Sequence, residues 1–153
     1  MNIFPWKRKK DFFSAEEQQL IIEAIRNAER RTSGEVRVFV ESKCSYMDAI
    51  DRAAELFLNL EMQKTDDRNA VLVYVAMKDR QLAVFGDEGI HQKVGNEFWN
   101  NEVQKMITNF NRENYAAGIS EIVRDIGEAL TKNFPFNNVT DKNELPDDIV
   151  FGK

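Results

Sequence analysis

Acidic residues surround two neighbouring apolar runs of this chain. Asp66 and Asp67 precede the first run, AVLVYVAM, and Asp87 and Glu88 follow the second run, QLAVF. Asp79 lies in the short connection between the runs. Calcium and magnesium prefer oxygen ligands in proteins, and carboxylates held close together repel one another unless a cation joins them. These five residues are therefore the first candidates for chemistry.

The two apolar runs predict a β-hairpin, and the hairpin decides which acidic residues meet. The first run is rich in valine and does not alternate, which is typical of a strand buried on both faces. The connection KDR then predicts a short turn into an antiparallel partner. In a hairpin, the start of one strand and the end of the next lie at the same edge of the sheet. We therefore expect Asp66, Asp67, Asp87 and Glu88 to converge, with Asp79 at the opposite end.

This convergence predicts a divalent-cation site with those four carboxylates as ligands, with calcium favoured and magnesium possible. Gly86 and Gly89 would let the backbone approach a ligand closely. No EF-hand spacing is present, however, and acidic residues and glycine are common in exposed loops. The alternative that these loops are simply solvated stays open.

Other kinds of catalytic site find little support. The single histidine, His91, could act as an acid, a base or a metal ligand, but a half-exposed residue in the first turn of a helix is the simpler interpretation. The single cysteine, Cys44, cannot form an internal disulfide, and no Cys/His zinc spacing occurs. Neither a G-x-S-x-G elbow nor a nucleotide-binding glycine fingerprint is present. Nucleophilic catalysis is disfavoured.

Helical and strand patterns surround the hairpin. Ser14 and Glu17 have the spacing of a capping box, and Gly34 predicts a left-handed stop after the first helix. EVRVFVE predicts a strand. Gly95 predicts an interruption early in the third helix, and Asn114 a cap for a last helix from residue 115 to about residue 132.

The second helix, SYMDAIDRAAELFLNLEM, follows EVRVFVE, and Ser45 is its predicted cap. Its apolar positions recur at helical spacing. The residues predicted to point inward are Ile50, Ala53, Ala54, Phe57 and Leu58.

The resulting order, α-β-α-β-β-α-α, predicts an α/β fold. We expect one three-layer αβα sandwich domain over residues 12–133, with helices on both faces of a small mixed sheet. The crossover helix predicts that the first two strands are parallel. Residues 1–11 are predicted to form a basic flexible arm and residues 134–153 a polar C-terminal tail.

Composition limits the partners. The chain has 153 residues and a net charge of −5, with 42% hydrophobic residues, as in a globular domain. A net negative charge disfavours nucleic acid. The basic cluster at residues 7–10 would give only weak attachment to an anionic membrane, about 1 kcal/mol per charge. No run approaches the ~20 apolar residues of a membrane span, and no secretory leader pattern is present. We expect a cytoplasmic protein without stable membrane insertion.

Three segments together resemble the TPM domain family of small bacterial and chloroplast α/β domains. They are FSAEEQQLIIEAIRNAERRTSGEVRVFVE with its T-S-G-E junction, DDRNAVLVYVAMKDRQLAVFGDEGI with Asn69 in its acidic loop, and NYAAGISEIVRDIGEAL with Gly118. They span about residues 12–133. The chain departs from many members at Asn69-Ala70, where those members have Asn-Gly. It also has GDEGI where those members have a glycine-aromatic-glycine loop. It resembles a short cytoplasmic type without a membrane anchor.

The resemblance implies three possible functions. Members have been linked to divalent cations, to phosphatase activity and to membrane complexes that they modulate or bind. Carried over by position, the implied site is the sheet edge where Asp66, Asp67 and Asn69 face Asp87 and Glu88. We call this the acidic edge. The first hypothesis is divalent-cation binding. The alternatives are an interaction module that binds a protein or membrane partner through its basic arm, and a metal-assisted phosphatase in which Arg68 and Arg80 would hold phosphate.

Overall fold

The computed structural model describes residues 12–136 and 149–152. The α-helices of this part are α1 (Ala15–Glu29), α2 (Ala49–Asn59), α3 (Glu88–Asn111) and α4 (Tyr115–Asn133), and a short 3-10 helix (Met62–Lys64) follows α2. The strands are β1 (Glu35–Glu41), β2 (Ala70–Ala76), β3 (Gln81–Gly86) and β4 (Ile149–Phe151). The predicted order of helices and strands is confirmed over residues 15–133.

The strands form one mixed sheet in the order β3-β2-β1-β4. β1 and β2 are parallel, with Glu35 opposite Ala70, and β2 and β3 are antiparallel, with Val71 opposite Gly86. This is the predicted hairpin beside a parallel crossover. The starts of β1 and β2 and the end of β3 consequently share one edge of the sheet.

Both faces of the sheet are covered, because alternate residues of each strand point to different helices. The valines of β1 and β2 pack with α1, α3 and α4 in the larger apolar cluster. Phe39, Leu72 and Tyr74 pack on the other face with Phe57 of α2. Every residue of β2 is buried, which confirms the prediction of a strand buried on both sides. The architecture is the predicted αβα sandwich.

The fourth strand was not predicted from the sequence. Its three residues pair in parallel with β1, from Val38 opposite Ile149 to Val40 opposite Phe151. Phe151 stacks on Phe12, with 6.3 Å between ring centroids. The predicted arm, residues 1–11, and residues 137–148 of the predicted tail lie outside the described residues.

The predicted ends of α1 are half right. Ser14 and Glu17 form the capping box, because each backbone N–H donates to the other side chain. The left-handed stop at Gly34 is wrong, because α1 ends at Glu29 and Arg30 stays in the right-handed region. Gly34 instead gives close packing: a Cβ there would lie 2.7 Å from the Leu130 side chain and 3.1 Å from the Asn69 backbone carbonyl oxygen.

Helix α2 is oriented differently from the prediction. Ala53, Leu56 and Phe57 are buried, whereas Ile50 is 48% exposed and Leu58 is 58% exposed. The inward direction predicted for the latter two is therefore wrong. Ser45 is not the cap either, since Asp48 precedes the first helical turn. The helix contacts mainly β2 and β3, and it faces them with Ala53, Leu56 and Phe57.

Helix α3 breaks at Gly95, as predicted. Gly95 has φ 78° and ψ 173°, a region that essentially only glycine adopts. The indole N–H of Trp99 donates to His91 Nδ1 over 2.9 Å and so joins the two parts of the helix. His91 is half-buried in the first part, as its position predicted. Within residues 12–136 and 149–152, every helix is too short or too polar to cross a membrane.

Candidate functional site

The two acidic loops meet at the sheet edge, as the hairpin geometry predicts. The Gly89 N–H donates to the Arg68 carbonyl over 2.8 Å, and the Asp87 N–H donates to the Ala70 carbonyl over 3.0 Å. A Cβ on Gly89 would lie 2.1 Å from the carbonyl oxygen of Asp67. The loops therefore touch through their backbones, and only glycine allows this approach.

Asp87 is the buried residue of the acidic set, and its carboxylate is paired with the cationic side chain of Arg68. The Arg68 guanidinium donates to both of its oxygens, from Nε over 2.6 Å and from Nη2 over 2.8 Å. Asp87 also accepts the Glu88 N–H and so caps α3. Arg68 has a left-handed backbone, with φ 51°. Its hydrogen bonds to Asp87 raise the pKa of the guanidinium.

The other three carboxylates are open to solvent. Asp66, Asp67 and Glu88 are exposed, and Glu88 lies 3.6 Å from Arg68. In the side-chain arrangement of the described residues, no three Asp, Glu, His or Cys side chains are close enough to hold a metal ion together. The loops thus bring the predicted residues to one edge, while their carboxylates do not form a closed coordination shell.

Asn69 links this edge to the T-S-G-E junction. Its side-chain Nδ2 donates to Ser33 Oγ over 3.2 Å, and its backbone carbonyl accepts from the Glu35 N–H over 3.4 Å. The side chain is buried, and its Oδ1 accepts no hydrogen bond from any described residue. An amide oxygen of this kind can ligate a hard cation.

The opposite end of the sheet carries a second arginine–carboxylate pair. Arg52 donates to both oxygens of the buried Glu41, from Nε over 2.9 Å and from Nη2 over 3.0 Å. The Tyr74 hydroxyl donates to the same carboxylate. Burial, followed by this hydrogen bond, raises the pKa of Tyr74. Asp79 lies near this end, where it accepts the Cys44 N–H over 2.9 Å, so its predicted separation from the acidic edge is confirmed.

The two arginines considered for phosphate binding do not meet. Arg68 precedes β2 and faces carboxylates, whereas Arg80 lies in the turn that leads from β2 to β3. The ion pair between Arg68 and Asp87 was not predicted from the sequence. Its signal was available, because a basic residue just before β2 and an aspartate just after β3 share an edge in any such hairpin.

The fold and this edge define a small α/β domain whose parallel strands begin beside two touching acidic loops. The TPM domain family model matches residues 7–129. The chain belongs to the TPM domain family.

Solved structures that resemble this chain include two from bacteria. The NMR structure of the BA42 protein from the psychrophilic bacterium Bizionia argentinensis has 39% sequence identity and a TM-score of 0.85, over 95% of this chain and 99% of that one. The N-terminal domain of the cg2496 protein from Corynebacterium glutamicum has 10% identity and a TM-score of 0.60, over 95% and 90% of the two chains. The second likeness shows the fold alone. No match was found among curated proteins.

Proposed function

We propose that this TPM domain binds a divalent cation at the acidic edge, through Asp66, Asp67, Asp87 and Glu88. The observation that carries the proposal is the direct contact of the two loops, with the Gly89 N–H bonded to the Arg68 carbonyl. This contact brings four carboxylates and one buried amide oxygen, Asn69 Oδ1, to one edge. All five are hard oxygen donors.

Calcium fits this edge better than magnesium. Calcium accepts six to eight oxygens in variable geometry, whereas magnesium demands a near-ideal octahedron. Asp66, Asp67 and Glu88 are exposed side chains that can turn toward an ion without unpacking the core. Backbone carbonyls of the 66–68 turn could complete the shell of a flexible calcium site. The cytoplasmic location and the phosphatase activity stay predictions.

Arg68 is the natural competitor of the cation. It already neutralises Asp87, and its side chain is 44% exposed, so it can swing into water when an ion takes its place. Binding is then an exchange of one cation for another at a buried carboxylate. The net affinity reflects the difference between the two interactions.

The test is a ¹H–¹⁵N titration of the protein with calcium and then magnesium. We expect saturating shifts confined to residues 64–70 and 85–91, and their loss in the Asp66→Asn/Asp67→Asn double variant. Arg68→Gln should tighten calcium binding about three- to tenfold, because the competitor is gone. Arg80→Gln is the matched control, since it removes the same charge from a residue with the same left-handed backbone, φ 54°.

An absence of saturating shifts at both loops would overturn the proposal. Equal tightening by Arg68→Gln and Arg80→Gln would show a general charge effect and remove Asp87 from the ligand set.

A further inference from the structure

Helix α2 exposes an apolar stripe that the fold does not cover. Ile50 is 48% exposed and Leu58 is 58% exposed, with Ala54 half-buried between them. These residues are four apart and therefore lie along one side of the helix, over about 12 Å. Tyr46, in the loop before the helix, is fully exposed with a left-handed backbone, φ 70°. Single exposed apolar residues are ordinary, but an aligned set marks an interaction surface.

The position of Arg52 shows which way this α2 stripe faces. Arg52 reaches β1, because its guanidinium binds Glu41. At about 100° per residue, Ile50, Ala54 and Leu58 lie roughly 120–160° around the helix from Arg52. The stripe is therefore turned away from β1, toward β3. The β3 residue Phe85 packs under α2 against Phe57, with 4.9 Å between ring centroids.

The charges beside the stripe are acidic. Asp51 and Glu55 are exposed and lie next to it on the helix surface. The only basic residue of the helix, Arg52, binds both the buried Glu41 and Glu55, the latter over 2.6 Å. One positive charge is therefore shared by two carboxylates, and the rim keeps a net negative charge. A partner must therefore offer apolar side chains flanked by positive charge.

This charge pattern discriminates among possible occupants. A second copy of the chain would bring the same acidic residues against these, and like charges across an interface are unfavourable. An anionic lipid surface would be repelled for the same reason. A cationic amphipathic helix matches both the apolar stripe and its acidic rim.

We propose that the α2 stripe (Tyr46, Ile50, Ala54 and Leu58, with Asp51 and Glu55 at its rim) docks a cationic amphipathic helix of a protein partner. The stripe lies on α2 and the loop before it, whereas the acidic edge lies at the loops before β2 and after β3. Partner binding therefore does not depend on a cation at that edge.

The probe is a synthetic 14-residue amphipathic helix of leucine and lysine, titrated into the ¹⁵N-labelled protein. We expect saturating chemical-shift changes at residues 46–58. The Ile50→Gln/Leu58→Gln double variant should bind the peptide about tenfold more weakly or worse, because the apolar contact is lost. Asp51→Asn/Glu55→Gln should weaken binding about three- to tenfold and reduce its salt dependence. Leu20→Gln is the matched control, since Leu20 is a 44% exposed leucine on α1, and it should bind like the parent.

Four results would overturn the proposal. These are equal binding of a leucine and glutamate peptide, shifts centred outside residues 46–58, equal weakening by Leu20→Gln, and no binding. Sedimentation velocity and flotation with phosphatidylglycerol vesicles test the other occupants. Self-association or vesicle binding that Ile50→Gln/Leu58→Gln abolishes would replace the partner helix with a second copy or a membrane.

Discussion

Each end of the sheet carries an ion pair between an arginine and a buried carboxylate, but the surroundings of the two pairs differ. At the end where β1 and β2 finish, Glu41 is held by Arg52, 27% exposed, and by the buried Tyr74. At the end where they start, Asp87 is held by Arg68, 44% exposed, with three solvated carboxylates nearby. Both carboxylates are buried and held by two guanidinium N–H groups. The Tyr74 hydroxyl encloses the first pair, whereas the third donor to Asp87 is the backbone N–H of the exposed Glu88. Under the proposed function, this second pair exchanges its arginine for a metal ion.

This comparison predicts unequal costs when each carboxylate is neutralised. Glu41→Gln leaves an arginine and a buried tyrosine hydroxyl poorly matched, and removing one partner of a buried pair is costly. We expect a loss of about 2–3 kcal/mol in the free energy of unfolding, measured by urea denaturation. Asp87→Asn should cost about 1 kcal/mol or less, because asparagine still caps α3 and Arg68 can turn into water.

Equal losses in the two variants would break the distinction between an enclosed and an exchangeable pair. A larger loss for Asp87→Asn would make the acidic edge the more structural of the two ends.

Much of this comparison could be predicted from the sequence, because it follows from the hairpin. Antiparallel strands force residues 66–67 and 87–88 to the same edge whatever else packs around them. The hairpin also places Arg68 and Asp87 at this edge, but it does not fix the contact of their side chains. The left-handed backbone of Arg68, φ 51°, is a conformation that an arginine in a sequence does not signal. The orientation of α2 was missed for a different reason: Ile50, Phe57 and Leu58 all fit an apolar helical stripe, but the packing of the helix against β2 and β3 decides which of them are buried. The strand β4 is only three residues long, and it pairs with a strand more than 100 positions earlier.

The contact between the loops should depend on Gly89. A methyl group there would lie 2.1 Å from the Asp67 carbonyl oxygen and 2.6 Å from that of Arg68, both of which are backbone atoms. Gly89→Ala must therefore push the loops apart, at a cost of about 2 kcal/mol. Because the carboxylates separate as well, the same variant should bind calcium more weakly, measured by the chemical-shift changes at residues 64–70.

Glu88→Ala is the neighbouring control for the unfolding measurement. Glu88 is exposed in the first helical turn, so its loss should cost about 0.5 kcal/mol or less. A Gly89→Ala variant as stable as Glu88→Ala would mean that the loops move apart freely and that their contact does not define the site.

Glu102 of α3 shows what happens to a buried carboxylate without an arginine. Its Oε2 lies 3.4 Å from Lys105 Nζ. The same Nζ lies closer to Asp125 Oδ2, at 3.0 Å. Glu102 Oε1 has no hydrogen-bond partner among the described residues. Burial, followed by the neighbouring Asp125 carboxylate, raises the pKa of Glu102 to about 7 from an ordinary value of 4.5. The folded protein therefore binds more protons here than the unfolded chain between these values.

The sign of the resulting pH dependence is opposite to that of an arginine-paired carboxylate. The stabilisation from protonated Glu102 is complete below about pH 4.5 and is lost as the pH rises through about 7. From pH 5 to pH 8 we expect this residue to lower the free energy of unfolding by about 1–2 kcal/mol, less than the full shift implies because Lys105 can follow the ionised carboxylate. Urea denaturation of Glu102→Gln should lack this decline and exceed the parent in stability at pH 8. Parallel pH profiles for the two proteins would mean that Lys105 compensates Glu102 as fully as an arginine would. A bidentate guanidinium would then not be what allows Glu41 and Asp87 to stay buried.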